Sequence, residues 1–490
     1  MKIKKIIVYF TITIQSTAFA QPLDSLNHYL QIAAENNPGV QSAFSLYQAS
    51  LQKVPQAAAW QDPTLEMSFF LQPMELVEGK QVADFKLMQM FPWFGTRKAA
   101  RTEMQAMAKM AYEQFRETRD QLWLDIYTQW FTLCQLQQQL KNNQENKVLL
   151  TQLEELALQK FASGNNASAS GERKMEKGEK NNTAISNSMS GMNMSNVAAS
   201  PISNSQFSTF NSQSNMSMGG SSSSGMSEVL RIQLEMAEID NNIESLQSEI
   251  LAGKAKFNAL LNRHSNSEIQ VPDTLAQIPF LLDETAVLAQ IRQQNPMLAM
   301  LSDEESAHKA KAEMDKKMSY PMFGIGLQYM LINKRENGEW KMEDDGMGNM
   351  SENTMSSMNG KDMIMPMISI SIPIYRGKYK AQQRESQYRQ QASREKYADT
   401  LNQLTAELHR LKSDLENAAR KIALYRKQSV LAQTTYNLVI QEFATGKSDL
   451  TNVIQVQRQL LDYKLKAAEA IADYNTKIAN IQKLISSNEE

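Results

Sequence analysis

The feature that most constrains this chain is a pair of runs, Met322 to Ile332 and Met363 to Tyr375, in which apolar side chains alternate with small or polar ones. Alternation with a period of two over roughly ten residues is the pattern of a tilted strand that crosses a bilayer. Two earlier runs, Leu65 to Gln72 and Ala83 to Phe91, alternate less regularly. Four strands cannot close inside lipid, because an open sheet edge leaves backbone groups unpaired in hydrocarbon. The strands are therefore either soluble hairpins or parts of one barrel shared by several chains.

The first twenty residues have the pattern of a secretory signal peptide. Three lysines precede an apolar run from Ile6 to Ile14, and Ala18-Phe19-Ala20 supplies a small-residue cleavage site. We predict that the mature chain starts at Gln21. No later stretch approaches the length of a membrane-spanning helix, so the exported product is either soluble or a β-barrel. The net charge of -2 gives no excess that points to nucleic acid.

The rest of the chain reads as an internal duplication, with a first repeat over residues 21–282 and a second over 283–490. Each repeat opens with helical sequence notched by an Asn-Pro pair, at Asn37-Pro38 and Asn295-Pro296. Strand pairs follow at about 64–91 and 322–375. Long helices come next, and both reach a Phe-Ala-x-Gly stop, at Phe161 to Gly164 and at Phe443 to Gly446. Glycine suits the left-handed position that ends a helix, so we expect both helices to stop there.

The helical segments carry the spacing of coiled coils. Leucines from Leu401 to Leu415 step by three and four, as do the apolar residues from Val453 to Tyr463. The long helices would each span about 100 Å at about 1.5 Å per residue. The predicted fold class is therefore mainly α, with long coiled-coil helices and four strands that form a β-barrel if several chains share it.

Two segments interrupt the repeat. An insertion at about 165–226 near the first stop, and a loop at about 333–362 between the second pair of strands, are rich in Ser, Asn, Gly and Met. The corresponding loop in the first repeat has about ten residues. We expect neither long segment to contribute to a packed core, because both lack the apolar residues to build one.

A signal peptide, two tandem halves, one strand pair per half, heptad helices and paired Phe-x-x-Gly turns together resemble the TolC family of outer-membrane efflux channels. The resemblance covers the mature chain apart from the two insertions. It implies a homotrimer in the outer membrane, whose three chains share a twelve-stranded barrel, with a helical tunnel extending into the periplasm. It also implies two partners, a periplasmic adaptor protein and an inner-membrane transporter of the resistance-nodulation-division type.

The resemblance further implies that the helix-to-helix turns, with Phe161, Gly164, Phe443 and Gly446, contact the adaptor. Family members often place an Asp-Val-Leu-Asp segment after the second turn, where its carboxylates narrow the periplasmic aperture. This chain has Asn452-Val453-Ile454-Gln455 there. Asn452 and Gln455 would then line the aperture, and Asp449 or Glu228 would supply the negative charge.

Methionines in the first insertion suggest what is carried. They recur at spacings of two and three, at Met189, Met192, Met194, Met216, Met218 and Met226. Thioethers are soft ligands that suit Cu(I) and Ag(I) and offer little to Zn(II). The resemblance includes a branch that serves copper and silver pumps, so we predict transient binding of these ions by the insertion.

The sequence contains no motif that is typical of an enzyme. The four histidines are isolated and have no zinc-type spacing, and no Gly-rich phosphate loop follows a strand. The sequence therefore predicts no catalytic residues and no cofactor. Three functions remain open: a duct for copper and silver efflux, a duct for drug efflux or type I protein secretion, and a periplasmic copper-buffering protein with Met-rich loops.

Overall fold

The computed structural model describes residues 26–76, 79–169, 224–272, 274–334 and 360–486. The predicted signal peptide lies outside these residues. The first repeat contains α1 (Leu26–Asn36), α2 (Pro38–Ala57), β1 (Thr64–Leu76), β2 (Gly79–Phe91), α3 (Thr96–Ala169) and α4 (Ser224–Leu260). The second contains α5 (Glu284–Gln294), α6 (Pro296–Met318), β3 (Met322–Asn333), β4 (Met363–Ser371), α7 (Arg376–Ala444) and α8 (Leu450–Ile485). The element order of the first half is thus repeated in the second.

The duplication extends to individual hydrogen bonds at the two Asn-Pro notches. The Asn37 side chain caps α2 by accepting from the backbone N–H groups of Gly39 and Val40, and its Nδ2 donates to the carbonyl of Leu260, at 2.9 Å. Asn295 caps α6 in the same way, and its Nδ2 donates to the carbonyl of Leu484, at 3.0 Å. Each asparagine therefore fixes a helix start and also ties it to the C-terminal end of the last helix of its own repeat.

Replacing Asn37 or Asn295 by alanine should lower the free energy of unfolding by about 2 kcal/mol, since a cap and a partly buried hydrogen bond are each worth about 1 kcal/mol. Serine keeps a capping oxygen but is too short to reach the distant carbonyl, so Asn→Ser should cost about half as much. Thermal unfolding followed by circular dichroism in detergent measures this. Equal losses for Ala and Ser would show that the cap contributes nothing.

The strands form one antiparallel sheet in the order β1-β2-β3-β4. Its central ladder joins the two repeats, because β2 pairs with β3 from Lys80↔Asn333 to Phe91↔Phe323. Among the described residues, the outer strands β1 and β4 pair on one side only. The sheet of one chain therefore has two open edges, one from each repeat.

Two predicted strand limits were wrong. The first hairpin has no loop of about ten residues, because β1 continues to Leu76 and pairs there with Gly79. Pro73 lies inside this outer strand, where the register shifts between Phe69 and Met74, and an edge strand tolerates a residue without an N–H. In the second hairpin β4 ends at Ser371 instead of Tyr375. Pro373 cannot donate to a ladder, and α7 begins three residues later.

The predicted helix stop at Gly164 was also wrong, because α3 continues to Ala169. Glycine permits a left-handed residue without requiring it, and a helical glycine costs only about 1 kcal/mol relative to alanine. At Gly446 the prediction was right. Its φ is +77°, and α7 ends two residues earlier at Ala444.

The described residues divide into two compact units: those within 1–138, 248–424 and 466–490 form one, and those within 139–247 and 425–465 form the other. In the first unit, a core around Tyr29, Trp130 and Phe257 joins α1, α3 and α4, with the Tyr29 and Phe257 rings edge to face at 5.2 Å. In the second unit, Leu153, Ile232 and Val453 belong to one core of four helices. The predicted heptad stripes supply much of this burial. In the part of the chain that the structure describes, no helix has the length and apolar character needed to cross a membrane.

Candidate functional site

One face of the sheet is apolar and exposed across all four strands. Its rows follow the register of the ladders: Phe323 lies opposite Ile370, and Ile325 lies opposite Ile368. Ile368 is 81% exposed and Leu327 is 47% exposed. Each strand contributes large apolar side chains to this face, which include Leu65, Met67, Phe69, Leu87, Phe323, Ile325, Leu327, Ile364, Ile368 and Ile370. A continuous apolar surface of this kind needs a lipid or protein partner to cover it.

Aromatic side chains cluster where β2 ends and β3 begins. The ring of Trp93 stacks on Tyr320 at 5.2 Å and on Phe323 at 5.8 Å. Trp60 meets the edge of Phe91 at 5.3 Å, and the Arg97 guanidinium lies 3.6 Å from the centre of the Trp60 ring. Tryptophan and tyrosine at strand ends, beside a cation, are typical of the boundary between hydrocarbon and water.

The opposite face of the sheet is polar at its centre. Lys86 Nζ lies 3.3 Å from Glu66 Oε2, and Gln328 Nε2 donates to both carboxylate oxygens of Asp84, at 2.9 and 2.8 Å. Gly324 and Gly326 belong to the same face of β3. The sheet thus separates an apolar surface from a polar one, as the alternation in the sequence predicts for a barrel wall.

The turn between α7 and α8 is closed by backbone hydrogen bonds around Gly446. The N–H of Gly446 donates to the carbonyl of Phe443 at 3.0 Å, and the N–H of Lys447 donates to the carbonyl of Glu442 at 2.8 Å. This pair of bonds with a left-handed glycine between them is the Schellman motif. A Cβ added at Gly446 would meet no atom within 4 Å, so the conformation, and not crowding, is what requires glycine.

The two phenylalanines predicted at the turns have different surroundings. Phe443 is fully buried in the core of its unit, and Lys160 Nζ lies 4.1 Å from the centre of its ring. Its side chain therefore holds the turn from within, and the predicted adaptor contact of this turn stays a prediction. Phe161 is half-buried on α3. The exposed part of the turn is Ala444 to Lys447.

Of the predicted aperture residues, Asp449, Asn452 and Gln455 are exposed, and Glu228 is half-buried. Asn452 Nδ2 donates to Ser448 Oγ at 3.3 Å. Gln455 lines a groove of about 330 Å³, in which Arg458 forms a bidentate ion pair with Glu235. The surroundings of these positions therefore contain cations as well as carboxylates.

Burial raises the pKa of Glu228, and the nearby Asp449 carboxylate raises it further, against the opposing charges of Lys160 and Arg231. A carboxyl group whose pKa is raised by folding stabilises the folded state as the pH falls through that pKa. The gain is complete below the pKa of the unfolded chain. Glu228→Gln should therefore be more stable than the parent at neutral pH, and the difference should vanish toward pH 4. Unfolding of both proteins across that range tests this, and a constant difference would contradict it.

The predicted metal ligands Met189, Met192, Met194, Met216 and Met218 lie outside the described residues. Met226 lies in the first turn of α4 and is exposed. Within the described ranges, no group of three or more His, Cys, Asp and Glu side chains is arranged to hold a metal ion. The methionines of the sheet were not among the predicted metal ligands. The signal was present in the sequence, because Met363, Met365 and Met367 alternate along one strand and therefore lie on one face.

Comparisons with known proteins bear on the fold and on the second half of the sequence. Residues 287–487 match the family described as outer membrane efflux protein. No curated protein sequence matches the chain. The fold is similar to that of the outer membrane protein VceC from Vibrio cholerae, with 13% identity and a TM-score of 0.64, over 95% of this chain and 97% of that one.

Two further solved structures agree. One is CusC, whose crystal structures describe conformational changes that accompany folding and transmembrane channel formation. It has 13% identity to this chain and a TM-score of 0.65, and the match covers 94% of this chain and 92% of CusC. The outer-membrane channel OprN has 13% identity and a TM-score of 0.64 over 94% and 90%. The predicted TolC-like fold class is confirmed. The chain therefore has the fold of the outer-membrane channels, and its second half carries the sequence pattern of outer membrane efflux proteins.

Proposed function

We propose that this chain is the outer-membrane channel of a tripartite efflux system, a passive duct with no catalytic chemistry of its own. The observation that carries the proposal is the amphipathic sheet. It has one exposed apolar face bordered by aromatic rings, one polar face, and an open edge on each side. Three copies supply twelve strands, and pairing β4 of one copy with β1 of the next removes every edge. The apolar face then meets outer-membrane lipids and the polar face lines the channel.

The partners follow from the same proposal. A duct without an energy source needs an inner-membrane transporter of the resistance-nodulation-division type and a periplasmic adaptor that joins the two. The Schellman turn at Gly446 is the described feature that suits an adaptor contact, because its exposed backbone is held rigidly by two hydrogen bonds. Glu228, Asp449, Asn452 and Gln455 form the proposed periplasmic aperture.

We propose Cu(I) and Ag(I) as the exported ions. The support is the run of soft thioethers from Met189 to Met226. Replacing these six methionines by leucine keeps their bulk and removes the sulfur, so copper and silver tolerance should fall while zinc tolerance stays unchanged. A matched variant with Met104, Met107 and Met110 replaced by leucine controls for loss of helical methionines. Parental copper tolerance in the six-fold variant would contradict ligation by the insertion.

The channel itself is tested by fractionation and mass. The protein should be recovered from outer membranes and, in mild detergent, should have the mass of three chains plus bound detergent. Heat should change its migration on a denaturing gel, as it does when a closed barrel unfolds. A particle with the mass of one chain, recovered from the soluble periplasm, would contradict the proposal and favour a copper-buffering protein.

A further inference from the structure

The methionines of β2, β3 and β4 are confined to one face of the sheet. β2, β3 and β4 contain Met88, Met90, Met322, Met330, Met363, Met365 and Met367, and the register of the ladders places all of them on the polar face. On β4 the apolar face carries isoleucine at Ile364, Ile368 and Ile370. Packing into an apolar environment therefore does not explain the methionines, since the face that needs apolar cover uses branched side chains instead.

Two glycines of β3 make room for three of these methionines. Met88, Gly326 and Met367 form one row across the sheet, and Met90, Gly324 and Ser369 form the next. A Cβ added at Gly324 would lie 2.5 Å from Met90 Sδ and 3.5 Å from Met88 Sδ. The two sulfur atoms are therefore no farther apart than the sum of these distances.

At Gly326 the same construction brings in the third methionine. A Cβ there would lie 3.4 Å from Met88 Cε and 3.5 Å from Met367 Cε. The side chains of Met88 and Met367 thus lean toward each other over the glycine from strands on either side of it. A side chain at Gly324 would displace Met90 Sδ, and a Cβ at Gly326 would lie only 2.8 Å from the carbonyl oxygen of Leu87, so glycine at both positions keeps the space beneath the thioethers open.

The donor chemistry of this cluster is selective. Three neutral thioethers favour a soft monovalent cation such as Cu(I) or Ag(I) over Zn(II). Cys134, the only thiol of the chain, is buried on α3, away from the sheet, and burial raises its pKa to about 12. The nearest described charges on this face, Lys86 and Glu66, pair with each other.

We propose that Met88, Met90 and Met367, over Gly324 and Gly326, form a contact site for monovalent soft-metal ions on the channel wall. The proposal rests on the proposed function and assigns the exported ion a place in the sheet itself, apart from the insertion at 165–226. Met365 and Met363 continue the row of thioethers along β4, two residues apart at each step. A succession of weak sites lets an ion enter and also leave, as conduction requires.

The test uses the purified full-length protein in which the six methionines from Met189 to Met226 are replaced by leucine. Binding of Cu(I) by the insertion is thereby removed, and binding by the sheet is measured. Cu(I) is titrated without oxygen against a chromophoric Cu(I) chelator. We expect about one ion per chain in this background and at least a tenfold weaker affinity after Met88→Leu, Met90→Leu and Met367→Leu together. A control with Met67→Leu, Met74→Leu and Met318→Leu, which removes three thioethers elsewhere, should bind as the background does.

A second measurement avoids substitution. Mild peroxide converts accessible methionines to sulfoxides, and mass spectrometry of peptides locates them. Ag(I) should protect Met88, Met90 and Met367 and leave Met67 unprotected. Unchanged Cu(I) affinity in the triple variant, or equal oxidation of all four methionines with Ag(I) present, overturns the proposal. A protein that still forms trimers in the outer membrane would then keep the proposed function, whereas loss of the trimer would overturn the function itself.

Discussion

Leu327→Arg is expected to abolish recovery of the protein from outer membranes. Leu327 lies at the middle of β3 on the exposed apolar face, opposite Leu87 on one side and Pro366 on the other. A guanidinium at the middle of the hydrocarbon costs about 2–4 kcal/mol, and a trimer carries three. The total is comparable to the whole stability of a domain, so assembled trimer should be lost. Fractionation followed by an unheated gel measures the assembled fraction.

The neighbouring residue provides the control. Gln328 lies on the opposite face and already bonds both oxygens of Asp84. An arginine there points toward water and can replace that bond with an ion pair, so Gln328→Arg should assemble as the parent does. If both variants assemble equally, the apolar face does not contact lipid and the strands belong to a soluble hairpin structure.

Gly446→Pro is expected to abolish export while leaving the trimer in the outer membrane. Proline fixes φ near -65°, whereas Gly446 has φ +77°, and the substitution removes the N–H that donates to Phe443. The Schellman turn cannot form in that conformation, so the surface proposed for the adaptor is lost. Cell tolerance to copper and silver, the ions proposed above, measures export, and the unheated gel measures assembly. Parental tolerance in this variant would show that the turn is not an interface.

Two alanine variants test whether the two glycines have different roles. Gly446→Ala keeps the N–H and requires a left-handed alanine, which costs about 1–2 kcal/mol, so export should fall only in part. Gly164→Ala lies inside α3 and should be neutral or stabilising by up to about 1 kcal/mol, because alanine is the better helix former. Equal losses in both variants would mean that the two glycines have the same role, as the sequence alone suggested.

The contrast between these glycines shows what the sequence could predict and what it could not. The duplicated Asn-Pro notches and the alternating runs fix the order of the elements, because capping and strand periodicity are local. A glycine near a helix end only permits a turn, and whether the chain turns depends on neighbours that sequence does not place.

Contacts between strands that are distant in the sequence could not be predicted, for a different reason. The cluster of Met88, Met90 and Met367 depends on the register that joins β2 to β3 and β3 to β4. A slip of one residue would move every side chain to the other face, and nothing local specifies that register across the two halves. The burial of Phe443 likewise depends on four helices packing together.

The central ladder of the sheet also sets the order of events during folding. Phe91 pairs with Phe323, so β2 must wait until most of the chain has been synthesised and exported before it finds β3. Helices form from local contacts and are fast, whereas pairing across such a separation is slow. In the proposed trimer, closing the outer edges also requires separate chains to meet, so that step depends on protein concentration. If the chain is exported as proposed, we expect newly made chains to pass through a state in which the helices are formed and the apolar strands are still unpaired.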